Sequence, residues 1–274
     1  MKIKRIWKVY FSPTGGTKKA AGILADCIAE ELSVPIDNFD YTLPEAREGL
    51  KQFEPGDLVI WATPVYAGRI PNKTLKYIQN SFQGNGALAV PVAVFGNRSY
   101  DDALSELRNE LEKNAFHTIA GAAIVVRHCF SKTLAKGRPD VADVEKIESF
   151  ARELADKIRK MEKIPEPIEV GGNNPPGPYY VPKGEDGKPA VFLKVKPKTS
   201  AQKCNQCGIC AAACPMGSIN KDNPSEVTGI CIKCQACILK CPTQAKYFDD
   251  PAFLSHKKMV EKNFTRRAEP EFFL

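Results

Sequence analysis

No stretch of the 274 residues approaches the roughly 20 apolar residues that a membrane-spanning helix needs. The opening MKIKRIWKVYFSPTGG is basic, but Lys8 and Pro13 interrupt it before the apolar core of a secretion signal can develop. There is no G-x-x-x-x-G-K-[ST], which excludes a Walker nucleotide loop. Gly84-Asn85-Gly86-Ala87-Leu88-Ala89 imitates a dinucleotide fingerprint, yet it precedes an apolar strand candidate where the fingerprint must follow one. No DNA-binding motif accompanies the formal charge of +7. The expectation is a cytoplasmic chain with no membrane span and no nucleic-acid partner.

Cysteine is what the chain has in excess. Eight of its ten cysteines form two copies of C-x2-C-x2-C-x3-C-P, namely Cys204, Cys207, Cys210 and Cys214-Pro215, then Cys231, Cys234, Cys237 and Cys241-Pro242. This is the run that ligates [4Fe–4S] clusters in bacterial two-cluster ferredoxins. Three thiolates on one tight loop can each reach a different iron of one cubane, and the fourth points away to the other cluster. The expected sets are therefore Cys204, Cys207, Cys210 and Cys241 for one cluster, and Cys231, Cys234, Cys237 and Cys214 for the other. A structural zinc site would need only two C-x2-C pairs and no Cys-Pro. Thiolate ligation also suits a reducing cytosol. Cys27, beside Leu24 and Ile28 on one helical face, and Cys129 read as core residues.

The length suggests about two domains, and 43 % hydrophobic content is ordinary for a globular chain. Residues 1–163 alternate apolar runs with amphipathic segments. Strands are expected at Ile6–Phe11, Ile36–Phe39, Leu58–Thr63, Val90–Phe95 and Ile119–Val126. Helices are expected at Thr17–Leu32, Asn72–Phe82, Asp101–Lys113 and Val141–Met161. The order βαββαβαβα predicts an α/β fold, a doubly wound parallel sheet with helices on both faces. Residues 164–200 carry eight prolines and read as a semi-stiff linker, with a further strand at Ala190–Val195. Its lysines, with Lys203, read first as a solvated run and second as a docking site for an acidic redox partner. Residues 201–249 form a small α+β cluster module repeating at an offset of 27 residues. It is too poor in apolar residues to fold without its cofactors. In the 250–274 tail, Asp250-Pro251 reads as a helix start, and Phe253, Leu254 and Phe264 as packing residues.

Three loops leave the carboxyl ends of the expected strands, where open α/β sheets bind ligands. Ser12-Pro13-Thr14-Gly15-Gly16-Thr17 offers hydroxyls and glycine N–H groups at a helix start, a phosphate cradle. Thr63 to Pro71 and Phe95 to Asp101 each bring glycine and a tyrosine able to lie on a flat ring. Together these loops resemble the flavodoxin family across roughly residues 1–160. That resemblance implies FMN, its phosphate held by Ser12, Thr14, Gly15, Gly16 and Thr17. Pro64, Val65, Tyr66, Ala67 and Gly68 would line one side of the ring, and Gly96, Asn97, Tyr100 and Asp101 the other. Lys8 departs from the family, which usually has an aliphatic residue there. With the cysteine repeat, nearly the whole chain resembles the flavodoxin–ferredoxin fusion proteins. Bound clusters and flavin phosphate would lower the net charge to about +1. The expected role is electron transfer between FMN and two [4Fe–4S] clusters, serving redox partner proteins. The alternative is an FMN-dependent reductase of a small organic acceptor. Tyr66, Arg98 and His128 are its candidate proton donors, and they form no recognisable constellation.

Overall fold

The computed structural model describes residues 2–274. Its N-terminal part is built on five parallel strands: β1 (Arg5–Tyr10), β2 (Ile36–Asp40), β3 (Asp57–Pro64), β4 (Leu88–Phe95) and β5 (Gly121–Val125). They lie in the order β2-β1-β3-β4-β5, the doubly wound order of flavodoxin-like sheets. Four helices cover it, α1 (Gly16–Leu32), α2 (Asn72–Asn80), α3 (Ala103–Lys113) and α4 (Val141–Lys160). Every expected strand and helix of this part is present, with ends shifted by a residue or two.

Strand periodicity explains the two cores. Along β3, Leu58, Ile60 and Ala62 enter the cluster under α1 and α4, where Leu24, Ile28, Ile147, Phe150 and Leu154 meet them. The alternate residues Val59 and Trp61 enter an aromatic cluster with Phe11, Tyr41, Phe82 and Phe116. There the Trp61 ring meets Phe82 edge-on at 4.4 Å.

Two segments depart from expectation. The proline-rich stretch is no free linker: it lies as a strap across α3 and the loops at the strand ends. Proline removes N–H donors and forbids a helix, and the N–H groups that remain find long-range acceptors. Ile168 N–H donates to the Thr118 carbonyl at 2.9 Å, and Tyr180 N–H to that of Ala67 at 2.8 Å. The buried Asp102 carboxylate accepts from the N–H groups of Asn173 and Gly177, each at 2.8 Å. No strand forms at Ala190–Val195.

The tail is the second departure. Pro251–Asn263 is a helix capped by the Asp250 carboxylate, as expected. Phe253 is buried and Phe264 packs beside Leu134, Met259 and Val260, but Leu254 faces solvent instead of packing. Glu271–Phe273 then adds an antiparallel strand to β5, covering an edge that would otherwise offer unpaired backbone groups. Its Phe272 stacks on Phe150 of α4 with centroids 4.7 Å apart.

The cysteine module keeps its duplication in the backbone. Gln206 and Lys233, Gly208 and Gln235, and Gly217 and Gln244, each pair 27 residues apart, all have positive φ. Gly208 and Gln235 begin the short helices Ile209–Ala212 and Ala236–Leu239. A two-stranded ribbon, Lys198–Thr199 with Lys246–Tyr247, closes the module.

Ending the chain after Asn263 removes the edge strand, the Phe150–Phe272 stack and the Asn97 contacts described below. The shortened protein is expected to be less stable by on the order of 3 kcal/mol. The check is a denaturant titration followed by circular dichroism, and an unchanged midpoint would show that the tail is dispensable.

Candidate functional site

The eight cysteines line two separate cavities. One is ringed by Cys204, Cys207, Cys210 and Cys241, the other by Cys214, Cys231, Cys234 and Cys237. Each set takes three sulfurs from one run and the last from the other, because each short helix turns its fourth cysteine across the module. The crossing sulfurs sit alike: Cys214 Sγ accepts the Ser218 N–H at 3.3 Å and Cys241 Sγ the Ala245 N–H at 3.2 Å. Among the described residues, no three His, Cys, Asp or Glu side chains converge on a single-ion site. Four thiols spread around a cavity suit a polynuclear group that offers one iron to each. Burial pushes the Cys234 thiol well up and the Cys237 thiol to about 12, so these sulfurs hold protons at neutral pH until iron displaces them.

The loop after β1 fits an anion. Gly15 stands at φ +89° with open space where a Cβ would point, and α1 begins at Gly16. Ser12 Oγ accepts the Lys18 N–H at 2.9 Å, and Thr42 Oγ1 holds the Ser12 N–H at 2.8 Å. The N–H groups of Gly16 and Thr17 find no acceptor among the described residues. First-turn donors of this kind, at the positive end of a 17-residue helix, favour a phosphate. Thr14 is exposed above them, and Thr17 is buried.

The two remaining loops meet each other. Val65 N–H donates to the Val94 carbonyl at 3.0 Å, and Asp102 N–H to the Gly68 carbonyl at 2.9 Å. A Cβ on Gly68 would strike the Asp101 carboxylate, and one on Gly96 would lie 2.8 Å from His128 Cα. The glycines thus permit close approach, as their type suggests, but toward protein. Three residues expected along one side of the ring have other tasks. Asn97 Nδ2 donates to the carbonyls of Phe264 and Arg266, both at 2.7 Å, and its Oδ1 accepts the Ala268 N–H at 3.1 Å. Tyr100 donates its hydroxyl to Glu271, and Asp101 pairs with Arg98. These three side chains hold the C-terminal tail and the loop itself. Pro64, Val65, Tyr66 and Ala67 remain half-buried at the strand ends.

Tyr66 joins the two parts of the molecule. Its phenol lies within electrostatic reach of Cys234, Cys129 and Cys231, and burial, with those sulfurs adding to it, raises its pKa well above the usual value. Around it the cysteine module is docked on the α/β part. Ile232, between Cys231 and Cys234, packs against the aromatic core, and Arg47 Nη2 donates to the Pro215 carbonyl at 2.8 Å. Sequence reasoning missed Arg47 and Ile232, and one signal was present: an apolar residue inside a cysteine run with no core of its own to enter. Of the remaining candidates, Arg98 lies 4.3 Å over the Tyr180 ring. Burial holds the His128 imidazole down to about 4, with His256 and Arg98 adding repulsion.

The family of 4Fe-4S binding domains matches residues 196–219. No curated protein matches the chain. Among solved structures, a flavodoxin from the domain Archaea is 13 % identical, with 57 % of this chain and 99 % of that one covered and a TM-score of 0.39. A Streptococcus pneumonia TIGR4 flavodoxin is 23 % identical, with 56 % and 99 % covered and a TM-score of 0.40. The rubredoxin:oxygen oxidoreductase of the anaerobe Desulfovibrio gigas is 18 % identical, with 58 % and 37 % covered and a TM-score of 0.38. The fold itself is defined by the strand order. By its strand order the N-terminal part has a flavodoxin-like α/β fold, and a stretch of the cysteine module, residues 196–219, is similar to 4Fe-4S binding domains.

Two outcomes are expected. Gly96→Ala forces the 126–130 segment away from the loop and should lower stability by about 2 kcal/mol, read as a shift in denaturation midpoint. His128 carries a folded pKa of about 4, below its ordinary value near 6.5, so between these values the unfolded chain binds more protons. Stability should therefore fall as pH drops from about 6.5 toward 4, and His128→Gln should flatten part of that slope. A slope unchanged by His128→Gln would contradict the burial of this imidazole.

Proposed function

We propose that the chain is a cytoplasmic electron-transfer protein that holds FMN and two [4Fe–4S] clusters and serves redox partner proteins. The carrying observation is that eight cysteines ring two cavities in crossed sets of four, and that the second set stands against the loops at the strand ends through Tyr66. When bound, the clusters supply one-electron exchange and the flavin one- or two-electron exchange.

Residues 1–163 carry the flavin in this reading and residues 201–249 the clusters. Residues 164–200 and 250–274 strap the two together. Ser12, Thr14, Gly15, Gly16 and Thr17 hold the FMN phosphate, and Pro64 to Gly68 face the ring. Cys204, Cys207, Cys210 and Cys241 ligate the first cluster, and Cys214, Cys231, Cys234 and Cys237 the second. Tyr66 spaces the ring site from the second set and excludes water between them. A carrier is favoured over a reductase because neither Tyr66 nor His128 is poised to pass a proton near neutrality and Arg98 is tied up. The Tyr66 phenol is pushed up and the His128 imidazole down, and Arg98 is engaged by Asp101.

Anaerobically purified protein should contain about eight iron, about eight sulfide and about one FMN per chain. Cys214→Ala should lose the cluster shared with Cys231, Cys234 and Cys237, so roughly half the iron, and keep its FMN. Zinc in place of iron, or loss of the cluster at Cys204 instead, would sink the assignment.

A further inference from the structure

Val191 and Leu193 are 78 % and 82 % exposed, yet they do not lie on a loose segment. Phe192 between them is buried, its ring 5.6 Å from that of Phe253 and 5.4 Å from that of His256. Leu193 and Lys194 form the tip of a turn closed by the Val195 N–H donating to the Phe192 carbonyl at 3.1 Å, so anchoring Phe192 inward leaves the turn tip in water. Lys233 Nζ donates to the carbonyl of Leu193 and, at 3.0 Å, to that of Cys231. Lys196 Nζ donates to the Val227 carbonyl at 2.7 Å. The segment is thereby stitched along the stretch that carries Cys231 and Cys234. On that stretch Ile230 is 54 % exposed and also lines the cavity of the second cysteine set. Exposed Ile230 thus stands at the rim of a cysteine cavity, and Lys233 ties the Leu193 turn to the same stretch.

Charge along this segment is mostly positive, with the acidic Glu185 and Asp186 at its start. From Gly187 to Lys221 there are six lysines and no Asp or Glu. Lys188 and Lys194 are exposed and have no ion pair among the described residues. The nearby Glu185 already faces Lys258 at 3.9 Å.

We propose that the face made by Val191, Leu193, Ile230, Lys188 and Lys194 docks an acidic redox protein, which would exchange one electron with the iron–sulfur group that Cys214, Cys231, Cys234 and Cys237 would hold. The proposal rests on the electron-transfer reading above. An apolar centre with a cationic rim matches an apolar centre with a carboxylate rim, and it steers a brief encounter. A second copy of this chain would set lysine against lysine. A lipid surface would favour aromatic anchors, and none stands among these residues. One electron would leave the reduced iron–sulfur centre of the partner, which is oxidised, and enter the group held by the second cysteine set, which is reduced. No covalent bond forms or breaks.

The test uses the full-length, cofactor-loaded protein and an acidic two-cluster ferredoxin as the probe. Binding of the oxidised ferredoxin, measured by sedimentation, should weaken in the wild type as salt rises from about 50 to about 300 mM. It should weaken about tenfold in the Leu193→Asp/Lys194→Glu variant, and less in Val191→Ser. Reduction by the same ferredoxin should slow in step, while reduced methyl viologen, a small cation that gains nothing from lysines, should keep its rate. Unchanged ferredoxin binding in both variants overturns the docking face. So does binding to phosphatidylglycerol vesicles, or self-association, that Leu193→Asp abolishes while ferredoxin binding persists. Cofactors that refuse electrons even from methyl viologen would sink the electron-transfer reading itself.

Discussion

Ile232 sits between two cysteines of one module and packs against the aromatic core of another part of the chain. The rest of the arrangement depends on that contact. The cysteine module has only a small apolar cluster of its own, built from Cys210, Ala211, Ile219 and Cys237, and a core of this size cannot offset the entropy of ordering about fifty residues. Its stability comes from ligation of the sulfurs and from leaning on the α/β part. Because Ile232 and the Arg47–Pro215 bond place that lean next to Tyr66, the second cysteine set and the strand-end loops are held at a fixed separation.

Cohesion comes from segments that look like connectors. Asp102, at the start of α3, gathers the strap through Asn173 and Gly177. Asn97 gathers the tail through Phe264, Arg266 and Ala268. Both residues stand at the ends of loops after parallel strands, so the groups that shape the ligand end of the sheet also clamp the chain that follows it. The molecule is two cofactor regions strapped together, not two beads on a string.

Most of the α/β frame was legible because its signals are local. Alternation in Leu58–Ala62 and four-residue spacing in α1 depend only on neighbours in sequence, and the cysteine spacing names its chemistry outright. The strap, the tail strand and the docking of Ile232 were not legible, since their partners lie tens to more than a hundred residues away. Gly68 and Gly96 show the boundary well. Their type correctly signals close approach, but only the fold reveals that Asp101 and His128 approach them. Nothing near Asn97 and Tyr100 in sequence announces residues 264–271, which their side chains hold.

The central claim is that the flavin site and the second cysteine set belong to one rigid electron path. Pulse reduction of the clusters, followed by the rise of reduced-flavin absorbance in the same sample, tests it most directly. A transfer rate independent of protein concentration, and slowed when Tyr66→Ala opens the gap to water, is the predicted result. A rate proportional to protein concentration would contradict the account, because electrons would then pass between molecules instead of within one.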